Sequence, residues 1–203
     1  MAPVLVDPRK VREFRDAESF HAWLGRNWDR ETELWIKVHK LNSGRPSITP
    51  KEAIDVVLCW GWIDGIRKGF DEVSFLQRYT PRGKKSVWSQ INVQNVARLV
   101  EERKMQPSGL AHVEAAKADG RWDRAYRARA DPPADLLAAI RAEPAAQKIY
   151  ETLSAQNRFA LTFRTLAART EAGREKKIAT LIAMLIKGEM IYPQAKKKRP
   201  SPT

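Results

Sequence analysis

The chain has 203 residues, with 37 Lys and Arg against 24 Asp and Glu, for a formal net charge of +13 at pH 7. A 43% hydrophobic content with seven Trp excludes a disordered chain, and the ordinary, unrepeated Gly and Pro exclude collagen-like and low-complexity classes. The single cysteine, Cys59, excludes an intramolecular disulfide framework and a multi-cysteine zinc site.

The N-terminal residues show neither a basic lead nor an apolar run of signal length, and no stretch approaches the 18 or so apolar residues of a membrane span. The expectation is a cytoplasmic protein in which a lone thiol stays reduced. Residues 16–26 read as a helix capped by Asp16, with Phe20, Trp23 and Leu24 on one face. Residues 33–40 alternate Leu34, Ile36 and Val38 with Trp35, Lys37 and His39, the pattern of a half-buried strand. Thr49-Pro50-Lys51-Glu52 combines a cap, a proline at the first helical position and a capping-box Glu. The helix it opens, Lys51 to Trp60, is apolar on most sides and is expected to be central and buried.

Gly61 to Gly69 and Val73 to Thr80, with Asp71-Glu72 between them, read as an antiparallel hairpin. A basic loop, Pro81 to Lys85, leads to a helix from about Trp88 to Arg103 with Ile91, Val96, Leu99 and Val100 inward. A short helix then carries Leu110, Val113 and Ala116 to Gly120. Residues 127–134 have the composition of a linker. Beyond them only helical periodicity remains, through Leu136 and Ile140, Ile149 to Leu153, Phe159 to Leu166, and Ile178 to Ile186, closed by Lys187-Gly188. The expected architecture is an α+β domain over 1–126 with a small antiparallel sheet and packed helices, a linker 127–134, an all-α C-terminal part over 135–192 and a disordered basic tail 193–203.

Several chemistries fail on spacing. His21, His39 and His112 lie on separate elements without metal-ligand spacing, so no metal is expected. Gly83-Lys84-Lys85-Ser86 resembles the end of a phosphate-binding loop, but Arg78 stands where that loop needs glycine. No nucleophile elbow and no dinucleotide fingerprint occurs, and no cofactor is expected. Cys59, inside an apolar helix, reads as an inert small hydrophobe.

One region gathers chemistry. Between residues 67 and 85 six basic residues face two acidic ones, just before a helix whose N-terminus presents free amides. Arg78 and Arg82 offer forks for an anion, Thr80, Ser86, Ser89 and Asn92 offer polar groups, and Trp62 and Trp88 offer walls. Asp64 is placed to orient an arginine or accept a ligand N–H. The competing reading makes the tryptophans core, the serines caps and the lysines a solvated turn.

At these residues the chain resembles the YdeI/OmpD-associated, or bacteriocin-protection, family. The resemblance rests on Cys59-Trp60-Gly61-Trp62-Ile63-Asp64-Gly65, on Arg78-Tyr79-Thr80-Pro81-Arg82 with Ser86-Val87-Trp88-Ser89-Gln90-Ile91-Asn92, on Met105 to Gly109, and on Asp119-Gly120-Arg121-Trp122, across about residues 13 to 191. Trp60 and Tyr79 stand where the family has Phe, and Gly173-Arg174 where it tends to have Thr-Arg. The resemblance implies a first part related to YjbR/CyaY-like domains, a helical C-terminal part, and an association with envelope stress and bacteriocin tolerance without an assigned reaction. The expected function is the binding of a small phosphate-containing anion in a Trp/Arg cleft. Two alternatives are carried: non-specific nucleic-acid binding through the net charge and the basic tail, and an enzyme with Asp64 as acid or base.

Overall fold

The computed structural model describes residues 4–127, 131–168 and 170–194. The chain divides into two compact units, 1–125 and 126–203. The predicted tail beyond Gln194, and residues 128–130 of the predicted linker, lie outside the described residues.

The first unit runs β1 (Val11–Arg12), α1 (Ala17–Asn27), β2 (Leu34–His39), α2 (Pro50–Trp60), β3 (Trp62–Gly69), β4 (Ser74–Pro81), α3 (Gln90–Glu101) and α4 (Pro107–Ala118). The strand order is β1-β2-β4-β3. The sheet is mixed rather than purely antiparallel, because β1 runs parallel to β2 with Val11 opposite Trp35. The chain between them contains α1, and a parallel neighbour requires such a crossover. The other two pairings, β2 with β4 and β4 with β3, are antiparallel, the second being the expected hairpin.

Both helix starts follow from local chemistry. Asp16 and Ser19 form a reciprocal capping box on α1, and Thr49 and Glu52 form another on α2. Alternation along β2 then selects one sheet face. Leu34, Ile36 and Val38 join Tyr79, Trp62, Phe20 and Leu24 of α1, and Val56 and Val57 of α2 in one core. The far side of α2, with Leu58 and Cys59, packs on Val96 and Leu99 of α3 and Val113 and Ala116 of α4 in a second core. So α2 is the central helix the sequence indicates. Close approach of α4 to α2 depends on Gly109, where a Cβ would stand 2.2 Å from the Cys59 carbonyl oxygen. In α3, Ile91 and Val100 are exposed rather than inward. Ile91 sits about 140° around the helix from Val96 at 3.6 residues per turn.

The second unit is helical: α5 (Ala134–Ala142), α6 (Pro144–Thr152), α7 (Ala155–Leu166) and α8 (Glu171–Ile186). Leu136, Ile140, Leu153, Leu161, Leu181 and Leu185 form its core. The phenylalanines of α7 do not join that core. Phe159 and Phe163 pack on Tyr126, the latter edge-on at 4.9 Å. Asn157, 1% exposed, instead fastens the segment after α8: its side chain donates to the Tyr192 carbonyl at 3.0 Å and accepts from the Tyr192 amide at 2.9 Å. Gln194, within the predicted tail, donates to the Thr152 carbonyl and accepts from Ser154 N–H.

Candidate functional site

The β3–β4 hairpin distributes the predicted site residues over both sheet faces. Asp64 stands opposite Tyr79, and Trp62 lies two residues earlier, so both share the face covered by α1 and α2. Arg78 stands opposite Trp35 and Thr80 opposite Ile63, which puts Arg78 and Thr80 on the other face. Arg78 donates from Nε to Glu33 at 2.5 Å. Trp62 is sealed in the core, 1% exposed, with Nε1 donating to the Trp28 carbonyl at 3.0 Å. Ser89 is the N-cap of α3, its hydroxyl accepting from the Asn92 amide at 3.2 Å. The nine residues therefore do not form one cleft.

A subset does converge, on Arg82. Its amide donates to the carbonyl of Gly61 at 3.0 Å. Gly61 closes α2 with φ 76°, the left-handed conformation glycine adopts without strain. The Arg82 guanidinium lies over the Trp88 ring, 3.8 Å from its centroid, and Nη1 donates to the Val87 carbonyl at 3.1 Å. The residue is only 3% exposed. A guanidinium stacked on indole in a desolvated setting is worth about 2 kcal/mol. Trp88, itself buried, meets Trp122 edge-on at 4.9 Å.

Two further residues complete the cluster. His112 of α4 lies against Gly61, so closely that a Cβ there would be 2.5 Å from the imidazole Cδ2. Arg121 donates from Nη1 to the Ser86 carbonyl at 2.9 Å and from Nε to Asp119 at 2.7 Å. Burial holds the His112 pKa below its ordinary value, and the charges of Arg82 and Arg121 push it the same way. Asp64 approaches from the sheet. Desolvation raises its pKa although the residue keeps solvent access, and Arg82 and Arg67 pull it back down. The Tyr79 phenol beside it is raised by burial first and by Asp64 second. Arg82 and Arg121, two fixed positive charges, thus lie near enough to act on the titratable His112, the three coming from separate segments.

Sequence reasoning identified Arg82, Trp88, Ser86 and Asp64 of this group and missed His112, Arg121 and Trp122. The signal for the last two was the Asp119-Gly120-Arg121-Trp122 motif. His112 had none, because its neighbours are distant along the chain. Cys59 has its pKa pushed up to about 11 by burial, which agrees with an inert thiol. Among the described residues no group of three or more His, Cys, Asp or Glu could hold a metal ion. Among the same residues no helix is long and apolar enough to cross a membrane.

Residues 129–188 match the family described as bacteriocin-protection, YdeI or OmpD-associated. Residues 12–112 match a family described as a domain of unknown function (DUF8412). The family match lies in the helical unit; the motifs from Cys59 to Gly109 fall in the other matched stretch and Asp119 to Trp122 in neither. No curated protein and no solved structure matches the chain.

Proposed function

From a chain that carries a YdeI/OmpD-associated domain at residues 129–188, we propose a protein that binds a small phosphate-type anion beside Arg82, His112 and Arg121. The observation that carries this reading is the convergence at Gly61, to which the Arg82 amide donates and against which His112 packs, with burial first and the charges of Arg82 and Arg121 next disfavouring protonation of the imidazole. An anion placed there offsets the cost of charging a buried imidazole and the repulsion from the two arginines, and lets His112 become a third cation. Asp64 and Asp119 offset part of the fixed charge, so the protonated imidazole supplies the surplus that favours the ligand. Binding is therefore expected to strengthen as pH falls through the imidazole range. The YjbR/CyaY-like reading of the first unit, a cytoplasmic location and a role in stress or bacteriocin tolerance belong to the same proposal.

The test is thermal denaturation with inorganic phosphate and with a nucleoside monophosphate, at about pH 6 and about pH 8. A ligand at about 100 times its Kd adds about 2.7 kcal/mol, a rise of roughly 5–10 °C for a chain of this size. The rise is expected to be larger at the lower pH and to vanish in Arg121→Gln. A rise independent of pH, or undiminished in Arg121→Gln, overturns the reading.

A second reading, acid or base work by Asp64, is favoured by the raised pKa of its carboxyl next to the buried Tyr79 phenol. It requires that Asp64→Asn abolish biological activity while phosphate binding survives.

A further inference from the structure

In the second unit, α5 and α8 leave between them a groove of about 750 Å³. Its floor is aliphatic, built by Ala139 and Ala142 of α5 with Ile178, Ile182 and Ala183 of α8. Its rim is acidic. Asp135, Glu143, Glu171 and Glu175 surround it, against Arg174 as the one lining cation. Arg174 is already taken, held by both oxygens of Asp135 at 2.5 and 2.8 Å. Glu143, Glu171 and Glu175 make no ion pair among the described residues. A local acidic excess is the more informative because the chain as a whole carries +13.

We infer that this groove docks a basic amphipathic helix of a protein partner. Four features select that occupant. Alanines on both walls let a helix backbone come close, as side chains of ordinary size would not. The wall formed by α8 is 16 residues long, about 24 Å at 1.5 Å per residue, and faces the nine residues of α5, which leaves room for a helix of up to about four turns. Apolar residues at i, i+3, i+4 and i+7 of such a helix meet the aliphatic floor. Lysines or arginines flanking that stripe meet Glu143, Glu171 and Glu175, an arrangement that also disfavours acidic helices by like-charge repulsion.

The probe is a fluorescein-labelled Leu/Lys peptide of about 14 residues, with leucines on one helical face. Its binding to the full chain is followed by anisotropy at about 0.15 M salt, where charges more than about 8 Å away are screened. Two comparator peptides are a scramble of the same composition and a Leu/Glu version. Two protein variants change exposed helix positions: Ala183→Lys, which fills and charges the floor, and the double change Glu171→Lys with Glu175→Lys. The Leu/Lys peptide is expected to bind the wild type, and to bind each variant at least about tenfold more weakly, a loss of about 1.4 kcal/mol. The scramble and the Leu/Glu peptide are expected not to bind. Circular dichroism checks that both variants keep their helix content, and in a variant that loses it the unaltered comparator peptides still decide the question. No binding, equal binding of the scramble, or equal binding by folded variants overturns the inference. So does a wild-type dimer that Ala183→Lys splits, since a second copy of the chain would then be the occupant.

Discussion

His112 shows how one side chain couples the candidate site to solvent conditions. Its pKa in the folded protein lies below the ordinary 6.5. Protonation therefore costs the folded state more than the unfolded one. Stability is retained above about pH 6.5 and falls as pH drops through the lowered value. His112→Gln is expected to abolish that part of the loss, read as a smaller difference between urea midpoints at about pH 5 and about pH 8. An unchanged difference would show that the imidazole ionises as freely in the fold as outside it. Asp64 carries the opposite sign. Its raised pKa makes ionisation costly, so its penalty is present at neutral pH and fades as pH falls. Asp64→Asn is accordingly expected to raise the neutral-pH midpoint and to leave the acid midpoint nearly unchanged. At this scale the sequence was legible where one residue acts through its immediate neighbours, as in the Asp16 cap and the Thr49–Glu52 capping box. It was not legible for His112, whose partners come from a strand end and a turn that only the fold brings together.

At the scale of elements, two contacts fix segments that propensity alone leaves unplaced. The first is the α2–α4 crossing at Gly109. A Cβ there meets Cys59 backbone atoms rather than a flexible side-chain end, so relief requires moving a whole helix. Gly109→Ala is expected to cost about 1–3 kcal/mol in chemical denaturation, the range for overpacking a tight core. Gly44→Ala is the contrasting control, since no atom lies within 4 Å of a Cβ there and only the positive φ opposes the change. The second contact is Asn157. By pairing with both the amide and the carbonyl of Tyr192, it imitates a strand neighbour and holds 189–194 against the start of α7. Asn157→Ala is expected to lose about 1–3 kcal/mol, because the Tyr192 groups are left without their partner. Trypsin is expected to cut after Lys187 faster in that variant, and an unchanged cutting rate would show the segment is held by other contacts. Neither contact was readable in advance. Gly109 and Asn157 look locally like a loop glycine and an indifferent helix residue. The β1–β2 parallel pair escaped for a related reason: two residues are too few for any periodicity.

The whole molecule combines two units whose origins in the sequence differ. The first owes its existence to alternation in β2 and β4 and to an α2 that is apolar on opposite sides, so one helix serves two cores. The second depends on four helices whose leucines and isoleucines close a core from residues within 126–203 alone. The units divide between Ala125 and Tyr126, beside the composition shift at 127–134, whereas nothing in the sequence marks the faces of α7. Period 3.6 finds the phenylalanines and leucines of α7 but not which side the other helices take, and Leu166 ends exposed. Because each core draws on its own unit, a fragment of residues 126–203 is expected to fold without the rest. Small domains bury a lower fraction of their surface, so its margin is expected to be modest. The measurement is far-ultraviolet circular dichroism during heating. A cooperative loss of helical signal at a temperature below that of the full chain supports an autonomous core. A fragment that is helical but melts without a transition would show that the leucine core needs the α+β unit to choose a single packing. The groove between α5 and α8 belongs to that fragment, so retention of the Leu/Lys peptide by the folded fragment would place recognition in the unit that contains the stretch matching the YdeI/OmpD-associated family.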